Sequence, residues 1–317
     1  MILSFTLIIV GFIALIYGAN WLVNGASSLA KKNNISDLVI GLTIVAFGTS
    51  APELVVNSVA SADGLSDIVM GNIIGSNNFN LFIILGIASL VYPISVQSST
   101  AKLEIPISLL TAVVVLLFAN DFFMNSDSEM SRWDGFAMLL MFGGFIFYIF
   151  KQMKTTPPEE ISYMPKSNTA IFGLIVFGFV GLILGGKLVV DNAILVATDL
   201  GVSQKIIGLT IIAAGTSLPE LVTSVVAAMK KNSDIAIGNV IGSNIFNILL
   251  ILPISAFINP IKFNSNFNQD IWILIGGTVF LIGAIAFSRS KKVTRWHGIV
   301  LLGFYCLYTA YLVSKEL

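Results

Sequence analysis

The amino-acid sequence predicts an all-α integral membrane protein whose ten transmembrane helices form two inverted five-helix repeats. Three observations carry this prediction: the apolar composition, the number of long apolar segments and an internal repeat. Of the 317 residues, 56% are hydrophobic and only 11% are charged, and the mean hydropathy is +0.92. Soluble domains carry about 25% charged residues. The composition therefore indicates a chain that is surrounded mostly by lipid.

Ten apolar segments are long enough to cross a membrane, because a hydrocarbon core of about 30 Å needs roughly 20 helical residues. The predicted spans are 2–28, 36–61, 67–92, 102–120, 134–151, 168–197, 203–228, 234–258, 268–287 and 295–314. Several spans contain glycine or proline, which membrane helices tolerate because neighbouring helices satisfy the freed backbone groups. The first segment lacks the basic start and cleavage site of a signal peptide, so we interpret it as a span.

One long connection divides the chain into two halves. Residues 153–167 contain three prolines and charges of both signs, a composition typical of a loop. We therefore expect a first five-helix repeat over residues 1–152, a cytoplasmic linker loop over 153–167 and a second, inverted five-helix repeat over 168–317.

The loop charges predict the orientation in a cell membrane. When alternate connections are assigned to opposite sides, twelve lysine and arginine residues lie on the side of the 153–167 loop and four on the other. Cytoplasmic loops are the ones enriched in lysine and arginine. We therefore expect a multi-pass protein of the inner or plasma membrane with both termini outside.

The internal repeat keeps a single constant offset along the chain. It aligns 41–61 with 208–228 at fourteen identical positions of 21, and 71–81 with 238–248 at eight of 11. The same offset brings 18–26 weakly onto the second half. Because each repeat would contain five helices, an odd number, corresponding helices cross the membrane in opposite directions. Many secondary transporters use such inverted repeats around a site at the membrane midplane.

The motif GTSAPE at residues 48–53 returns as GTSLPE at 215–220. Pro52 and Pro219 have no backbone N–H, so carbonyl oxygens near each proline become available. The helical spacing of three and four residues places an alanine carbonyl, two hydroxyls and a glutamate on one face of each copy. These residues are Ala46, Thr49, Ser50 and Glu53, and in the second copy Ala213, Thr216, Ser217 and Glu220.

A second pair of motifs, GNIIGSNNFN and GNVIGSNIFN, adds a polar stripe to each repeat. Its members recur every four residues and would face the interior of the helix bundle. They are Asn72, Ser76 and Asn80, and Asn239, Ser243 and Asn247. Oxygen ligands without histidine or clustered cysteine suit Ca²⁺ or Na⁺ and not zinc or copper. Asn72 and Asn239 could equally cap the broken helices.

These two motif pairs resemble the two alpha-repeats of the sodium/calcium exchangers, a branch of the cation/calcium exchanger superfamily. The resemblance implies a membrane antiporter that exchanges Ca²⁺ for Na⁺ by alternating access, with both ions as substrates, no cofactor and no obligatory protein partner. It also implies that the first and sixth helices slide against the other eight.

The resemblance further implies individual roles. Glu53 and Glu220 would be the central cation ligands, and Thr49 and Thr216 would complete a Ca²⁺ site. Flanking Na⁺ sites would use four serines and two alanine carbonyls: Ser50, Ser76, Ser217, Ser243, Ala46 and Ala213. Asn80 and Asn247 would line the middle of the pocket. Many relatives have an aspartate at one of these two positions, so the amides remove a charge and weaken any case for K⁺ co-transport.

Other functions stay open at this point. A proton-coupled Ca²⁺ exchanger of the same superfamily is the nearest alternative, since glutamates also carry protons. An intramembrane hydrolase could use paired acids, but the two glutamates have the same sequence context and no Ser/His pair accompanies them. A channel is a further alternative. Net charge is zero and no basic block suggests nucleic acid. Lys187 and Asp191, four residues apart, predict a local ion pair.

Overall fold

A computed structural model describes residues 1–120, 128–153, 167–200, 213–288 and 290–316 of the chain. Helices make up most of these ranges. They are α1 (Ile2–Lys32), α2 (Asp37–Thr49), α3 (Ala51–Ala62), α4 (Ser66–Val91), α5 (Thr100–Ala119), α6 (Arg132–Met153), α7 (Asn168–Asp199), α8 (Ala213–Gly215), α9 (Leu218–Met229), α10 (Ser233–Ile258), α11 (Phe267–Phe287) and α12 (Arg295–Glu316).

Seven of the described helices are long and apolar enough to cross a membrane, and the bent pair α2 and α3 brings this number to eight. The prediction of a helical membrane protein is therefore confirmed. The seventh predicted span begins in residues 203–212, which lie outside the described residues, and α9 alone is a shorter apolar helix of 12 residues. The number of ten crossings accordingly stays a prediction.

Helices α1 and α7 pack against each other along a line of glycines. A Cβ added to Gly18 would lie 2.8 Å from the carbonyl oxygen of Gly178, and one added to Gly11 would lie 2.9 Å from that of Gly185. Because the partner number falls as the α1 number rises, the two helices run antiparallel. Such close approach of backbones is what small residues permit in membrane proteins.

Helices α4 and α10 also run antiparallel. The backbone N–H of Ser95, just after the end of α4, donates to the Oγ of Ser233 at the start of α10 (3.1 Å). The backbone N–H of Lys262, just after the end of α10, donates to the Oγ of Ser66 at the start of α4 (3.1 Å). These two helices are the most buried of the seven apolar spans, so their polar side chains lie inside the protein.

Within the described ranges, two short antiparallel ribbons lie at opposite ends of this helix pair. The strands are β1 (Ile94–Ser95), β2 (Glu129–Met130), β3 (Ile261–Lys262) and β4 (Lys292–Val293). Strand β1 follows α4 and pairs with β4, whereas β3 follows α10 and pairs with β2. Each ribbon therefore joins a connection of the first half to one of the second half. Helix α4 has 26 residues, which gives a separation of about 39 Å between its ends.

Four short π-helical turns interrupt the helices of the described part of the chain. One lies in α2, one in α4, one at the start of α5 and one in α10: Gly41–Val45, Phe79–Ile84, Thr100–Glu104 and Asn247–Ile251. π-turns are uncommon and frequently occur at functional sites. The turns in α4 and α10 contain Asn80 and Asn247, two of the candidate site residues.

Candidate cation-binding site

The candidate site is built on two breaks in the helices. The backbone leaves helical geometry at Ser50 (φ −84°, ψ 7°) and at Ser217 (φ −89°, ψ 6°). Pro52 and Pro219 lie in the first turn of the helices that follow, α3 and α9, where a missing N–H leaves no intrahelical bond unmade. Helices α2 and α3 meet at an angle of 45°. Each segment is therefore divided into two helices, and the N-terminal end of the second helix lies at the break.

Glu53 and Glu220 lie in the first turn of α3 and α9 and are each only 1% exposed. The first turn of a helix carries unpaired N–H groups and a partial positive charge, which stabilise a nearby carboxylate. This local effect offsets only part of the cost of burying an acid in a membrane protein. Both glutamates therefore need further partners.

Each glutamate is bound by the serine of the opposite break. The Oγ of Ser50 donates to Oε1 of Glu220 at 2.8 Å, and the Oγ of Ser217 donates to Oε1 of Glu53 at 3.2 Å. The two motifs, which are far apart in the sequence, thus form one site. Among the described residues, the second carboxylate oxygen, Oε2, has no hydrogen-bond partner in either glutamate.

The predicted threonine ligands lie beside these glutamates but differ in their contacts. Thr49 is fully buried, and its Oγ1 lies 3.0 Å from Oδ1 of Asn239 and 3.0 Å from the carbonyl oxygen of Val45. Thr216 is half-buried and accepts a long hydrogen bond of 3.4 Å from Nδ2 of Asn72. Each threonine therefore contacts the amide of the opposite repeat, as the serines contact the opposite glutamate.

Asn72 and Asn239 form hydrogen bonds that stabilise the broken helices. The Nδ2 of Asn239 donates to the carbonyl oxygen of Glu220 at 3.3 Å and to the Oγ of Ser224 at 2.9 Å. The Oδ1 of Asn72 accepts from Nδ2 of Asn57 at 2.8 Å, and the same Nδ2 donates to the carbonyl oxygen of Glu53 at 2.7 Å. Of the two interpretations of these asparagines, the contacts favour support of the helix breaks.

Asn57 and Ser224 are part of this support and did not emerge as candidates from the sequence. They lie one helical turn after the glutamates and occupy equivalent positions of the two repeats. The four-residue spacing from each glutamate could have identified them. Their different identities hid them, because the repeat comparison draws attention to identical residues.

The remaining predicted side chains supply oxygens without partners. The Oγ atoms of Ser76 and Ser243 and the Oδ1 atoms of Asn80 and Asn247 are buried and have no hydrogen-bond partner among the described residues. With Oε2 of both glutamates they form three matched pairs, each with one member at the corresponding position of either repeat. Buried polar atoms without a partner are rare and require an explanation, such as a bound ion or water.

The donor set is chemically uniform. It consists of carboxylate, hydroxyl and amide oxygens, which hard cations such as Ca²⁺ prefer. Among the described residues, no group of three or more His, Cys, Asp or Glu side chains could hold a metal ion. A cation at these breaks would therefore depend on neutral oxygens as well as on the two carboxylates.

Ala46 and Ala213 carry the two predicted carbonyl ligands. The carbonyl oxygen of Ala46 accepts the backbone N–H of Ser50 at 3.0 Å, and the Oγ1 of Thr49 lies 3.3 Å from it. The single hydroxyl proton of Thr49 can instead go to Oδ1 of Asn239, which can only accept, so one of the two lone pairs of the Ala46 carbonyl can still contact a cation. Ala213 is the first residue of α8, next to residues 201–212, which lie outside the described part of the chain.

A cavity of about 470 Å³ reaches the second break. Pro52 on α3, Lys187 and Asp191 on α7, and Thr216 and Pro219 at the second break are among the residues that line it. The prediction of an ion pair between Lys187 and Asp191 is wrong, because these two described side chains form no salt bridge with each other. Both charged side chains instead face the space beside the site.

The fold and the site define a helical membrane protein with an oxygen-rich polar centre buried between two broken helices. Comparison with known proteins gives the same class. Residues 3–151 and 170–314 match the family described as sodium/calcium exchanger protein. The chain therefore belongs to the sodium/calcium exchanger family.

Relatives along the whole length support this assignment. The putative antiporter CaxA of Alkalimonas amylolytica is 35% identical, covering 99% of this chain and 100% of the relative. The sodium/calcium exchanger MaX1 of Methanosarcina acetivorans is 32% identical over 96% of this chain and 97% of its own. A solved structure of the sodium-calcium exchanger NCX_Mj superimposes with a TM-score of 0.84 at 32% identity and covers 98% of both chains. These relatives are named as transporters and not as enzymes.

Proposed function

We propose that this protein is a secondary transporter that exchanges Ca²⁺ for Na⁺ across the membrane. The observation that carries the proposal is a group of six buried oxygens that have no partner among the described residues and form three matched pairs, one pair at the two helix breaks and two pairs on α4 and α10. The names of MaX1 and NCX_Mj as sodium/calcium exchangers support the choice of ions.

The charge of the site favours exchange over leak. Two ionised glutamates without a cation would leave two negative charges buried close together, which is costly in a low dielectric. One Ca²⁺, or two or more Na⁺, would neutralise them. A site without cations should therefore resist closure, so that the protein changes its accessible side mainly when it is loaded.

The ligand roles follow the sequence expectation. Glu53 and Glu220 would bind either cation, and Thr49 and Thr216 would complete the Ca²⁺ shell. The flanking Na⁺ ligands would be Ser50, Ser76, Ser217, Ser243 and the carbonyl oxygens of Ala46 and Ala213, with Asn80 and Asn247 in the middle. The unpartnered atoms of Ser76, Ser243, Asn80 and Asn247 support this assignment. The half-buried Thr216 beside the cavity supports entry of ions from that side.

Alternating access would use an inverted repeat of ten membrane crossings. The antiparallel packing of α1 on α7 and of α4 on α10 supports this arrangement, because each pair has one helix from each half. In this topology both termini lie outside and the cavity that contains Lys187 and Asp191 opens to the outside. The pair α1 and α7 would slide past the rest of the bundle to open the opposite side.

The test is Ca²⁺ flux in proteoliposomes that contain the purified protein. We expect radioactive Ca²⁺ uptake when the vesicles are loaded with Na⁺, and no uptake when choline replaces Na⁺. A pH gradient without Na⁺ should not drive uptake. Equal uptake under the pH gradient would overturn Na⁺ coupling and identify a proton-coupled Ca²⁺ exchanger instead.

A further inference from the structure

Four buried asparagines form a hydrogen-bonded network at the centre of the protein. Asn77 and Asn80 lie in α4, and Asn244 and Asn247 lie at the equivalent positions of α10. All four side chains are at most 1% exposed, and each amide nitrogen donates a hydrogen bond within the network. Asn80 and Asn247 belong to the proposed ion site, whereas Asn77 and Asn244 have no role in it so far.

Two backbone carbonyls fix the orientation of the first two amides. The Nδ2 of Asn77 donates to the carbonyl oxygen of Asn244 at 3.2 Å, and the Nδ2 of Asn244 donates to the carbonyl oxygen of Asn77 at 3.3 Å. A carbonyl oxygen can only accept a hydrogen bond. If either amide were flipped so that its oxygen and nitrogen changed places, two oxygens would face each other. The nitrogen of each amide must therefore point to the opposite helix, and the Oδ1 atom must point away from that contact.

This orientation determines that of the other two amides. The Oδ1 of Asn77 accepts from Nδ2 of Asn247 at 2.9 Å, and the Oδ1 of Asn244 accepts from Nδ2 of Asn80 at 3.0 Å. An oxygen acceptor requires an N–H group opposite it, so the amide groups of Asn247 and Asn80 cannot flip either. Their Oδ1 atoms are left buried without a hydrogen-bond partner among the described residues.

The two asparagines with unpartnered oxygens lie in π-turns that pack against the glutamate helices. The π-turn of α10 that begins at Asn247 packs against α3, which carries Glu53, and the π-turn of α4 that contains Asn80 packs against α9, which carries Glu220. An amide presents either an oxygen, which attracts a cation, or an NH₂ group, which repels it. The orientation of these two amides therefore decides whether the middle of the site attracts cations.

We propose that Asn77 and Asn244 are positioning residues that hold the oxygens of Asn247 and Asn80 toward the transported cation. This inference rests on the proposed function of the site. It also predicts that the network is specific for asparagine at position 247. A carboxylate there would place an oxygen against Oδ1 of Asn77, where no N–H remains to separate the two.

The test compares Asn77→Leu with the matched control Asn78→Leu. Asn78 is the next residue, is 2% exposed and donates to a backbone carbonyl outside the network. In Asn77→Leu the Nδ2 of Asn247 loses its acceptor, so the amide gains by turning its NH₂ group elsewhere, and we expect Ca²⁺ affinity to fall about tenfold. The control should keep wild-type affinity. Calorimetry on the purified protein measures both.

Adding Asn247→Asp separates a positioning role from a merely structural one. A carboxylate presents an oxygen in either orientation, so this substitution should restore Ca²⁺ affinity in the Asn77→Leu background. In the wild-type background the oxygen of Asn77 opposes the new carboxylate, so the substitution should improve binding less than it does in Asn77→Leu. If Asn247→Asp changes affinity by the same factor in both backgrounds, or if Asn77→Leu binds Ca²⁺ like the wild type, the inference is wrong.

The symmetric pair keeps the test decisive if Asn77→Leu does not fold. Asn80→Asp should likewise improve binding more in the Asn244→Leu background than in the wild type, and equal factors in both backgrounds would overturn the inference. A wild-type protein that binds Ca²⁺ but does not exchange it for Na⁺ would overturn the proposed function alone. A wild-type protein that binds neither cation would overturn both.

Discussion

Glu53 and Glu220 each have one carboxylate oxygen bound to a serine of the other half and a second oxygen without a partner among the described residues. At the scale of single residues, this asymmetry within each carboxylate is the central feature of the site. The bound oxygen fixes the position of the side chain. The other oxygen retains its full capacity to bind a cation, and the buried charge makes that binding favourable.

Replacing either glutamate by glutamine should abolish Ca²⁺ exchange. Glu53→Gln and Glu220→Gln keep the shape of the side chain but remove one of the two negative charges that would balance Ca²⁺ in the proposed site. Breaking a buried charge pair costs about 3–5 kcal/mol, and about 1.4 kcal/mol corresponds to a factor of ten, so Ca²⁺ affinity should fall at least about 100-fold.

Calorimetry and isotope flux check this prediction, with Asp63→Asn as the control. Asp63 is exposed at the end of α3 and loses the same charge outside the site. Near-normal Ca²⁺ affinity in either glutamine variant would contradict a direct ligand role for that glutamate.

The crossed serine contacts predict a crossed pattern of stability effects. Ser50→Ala removes the donor to Glu220, and a hydrogen bond to a charged group contributes about 1.5–3 kcal/mol. The melting temperature of the Ser50→Ala variant should therefore be about 3 °C below that of the wild type. The same substitution should have little further effect in a Glu220→Ala background but its full effect in a Glu53→Ala background. Thermal unfolding of the detergent-solubilised variants measures this, and equal effects in both backgrounds would contradict the crossed contact.

The sequence predicts which residues meet at the two helix breaks better than it predicts their contacts. The glutamates, threonines and serines follow from two copies of one motif, because repetition makes coincidence a poor explanation. Which oxygen each serine binds depends on how the halves approach, and a single sequence holds no distance between them. For the same reason the sequence does not indicate that Glu104 is buried. This residue lies fully buried at the start of α5 and accepts a hydrogen bond from the hydroxyl of Tyr148 at 2.5 Å.

At the scale of helices, the glycine seam between α1 and α7 sets how closely the two halves approach. At Gly18 the contacts are backbone to backbone, so even a methyl group has no space there. The sequence indicates both helices by their length and apolar character, but not the seam. Glycines are spread through most spans, and those at positions 143 and 144 have open space beside them.

Gly18→Ala should therefore destabilise the protein, whereas Gly143→Ala should not. A Cβ at Gly18 would lie 2.8 Å from the backbone of Gly178 and Leu182, and overpacking costs about 1–3 kcal/mol. Gly143 has no atom within 4 Å of an added Cβ, so alanine there should be neutral or stabilise the helix by up to about 1 kcal/mol.

Thermal unfolding and Ca²⁺ flux of both variants test the seam. If α1 and α7 move together during exchange, Gly18→Ala should also slow flux at temperatures where the protein remains folded. Equal melting temperatures for the two variants would show that the seam does not depend on glycine at position 18.

At the scale of the whole molecule, each of the two ribbons and each antiparallel helix pair contains one element from either half of the chain. Strand β1 of the first half pairs with β4 of the second, and β3 of the second half pairs with β2 of the first. The connections at each end of the bundle therefore come from both halves. The loop charges predict which end faces the cytoplasm, because lysine and arginine accumulate at the end that holds β1 and β4.

Labelling of single-cysteine variants from outside intact cells tests this orientation. The one native cysteine, Cys306, is exposed and is first replaced by serine. In that background, Asp63→Cys and Asn264→Cys should react with a membrane-impermeant thiol reagent, because these exposed positions follow α3 and α10 at the end that the loop charges predict to be outside. The variants Lys32→Cys and Ser290→Cys should react only after the cells are opened. Two of these positions lie in each half of the chain. If the two positions of one half react as expected and the two of the other half react in the opposite way, the inverted repeat is contradicted. If all four positions react in the opposite way, only the predicted orientation is contradicted.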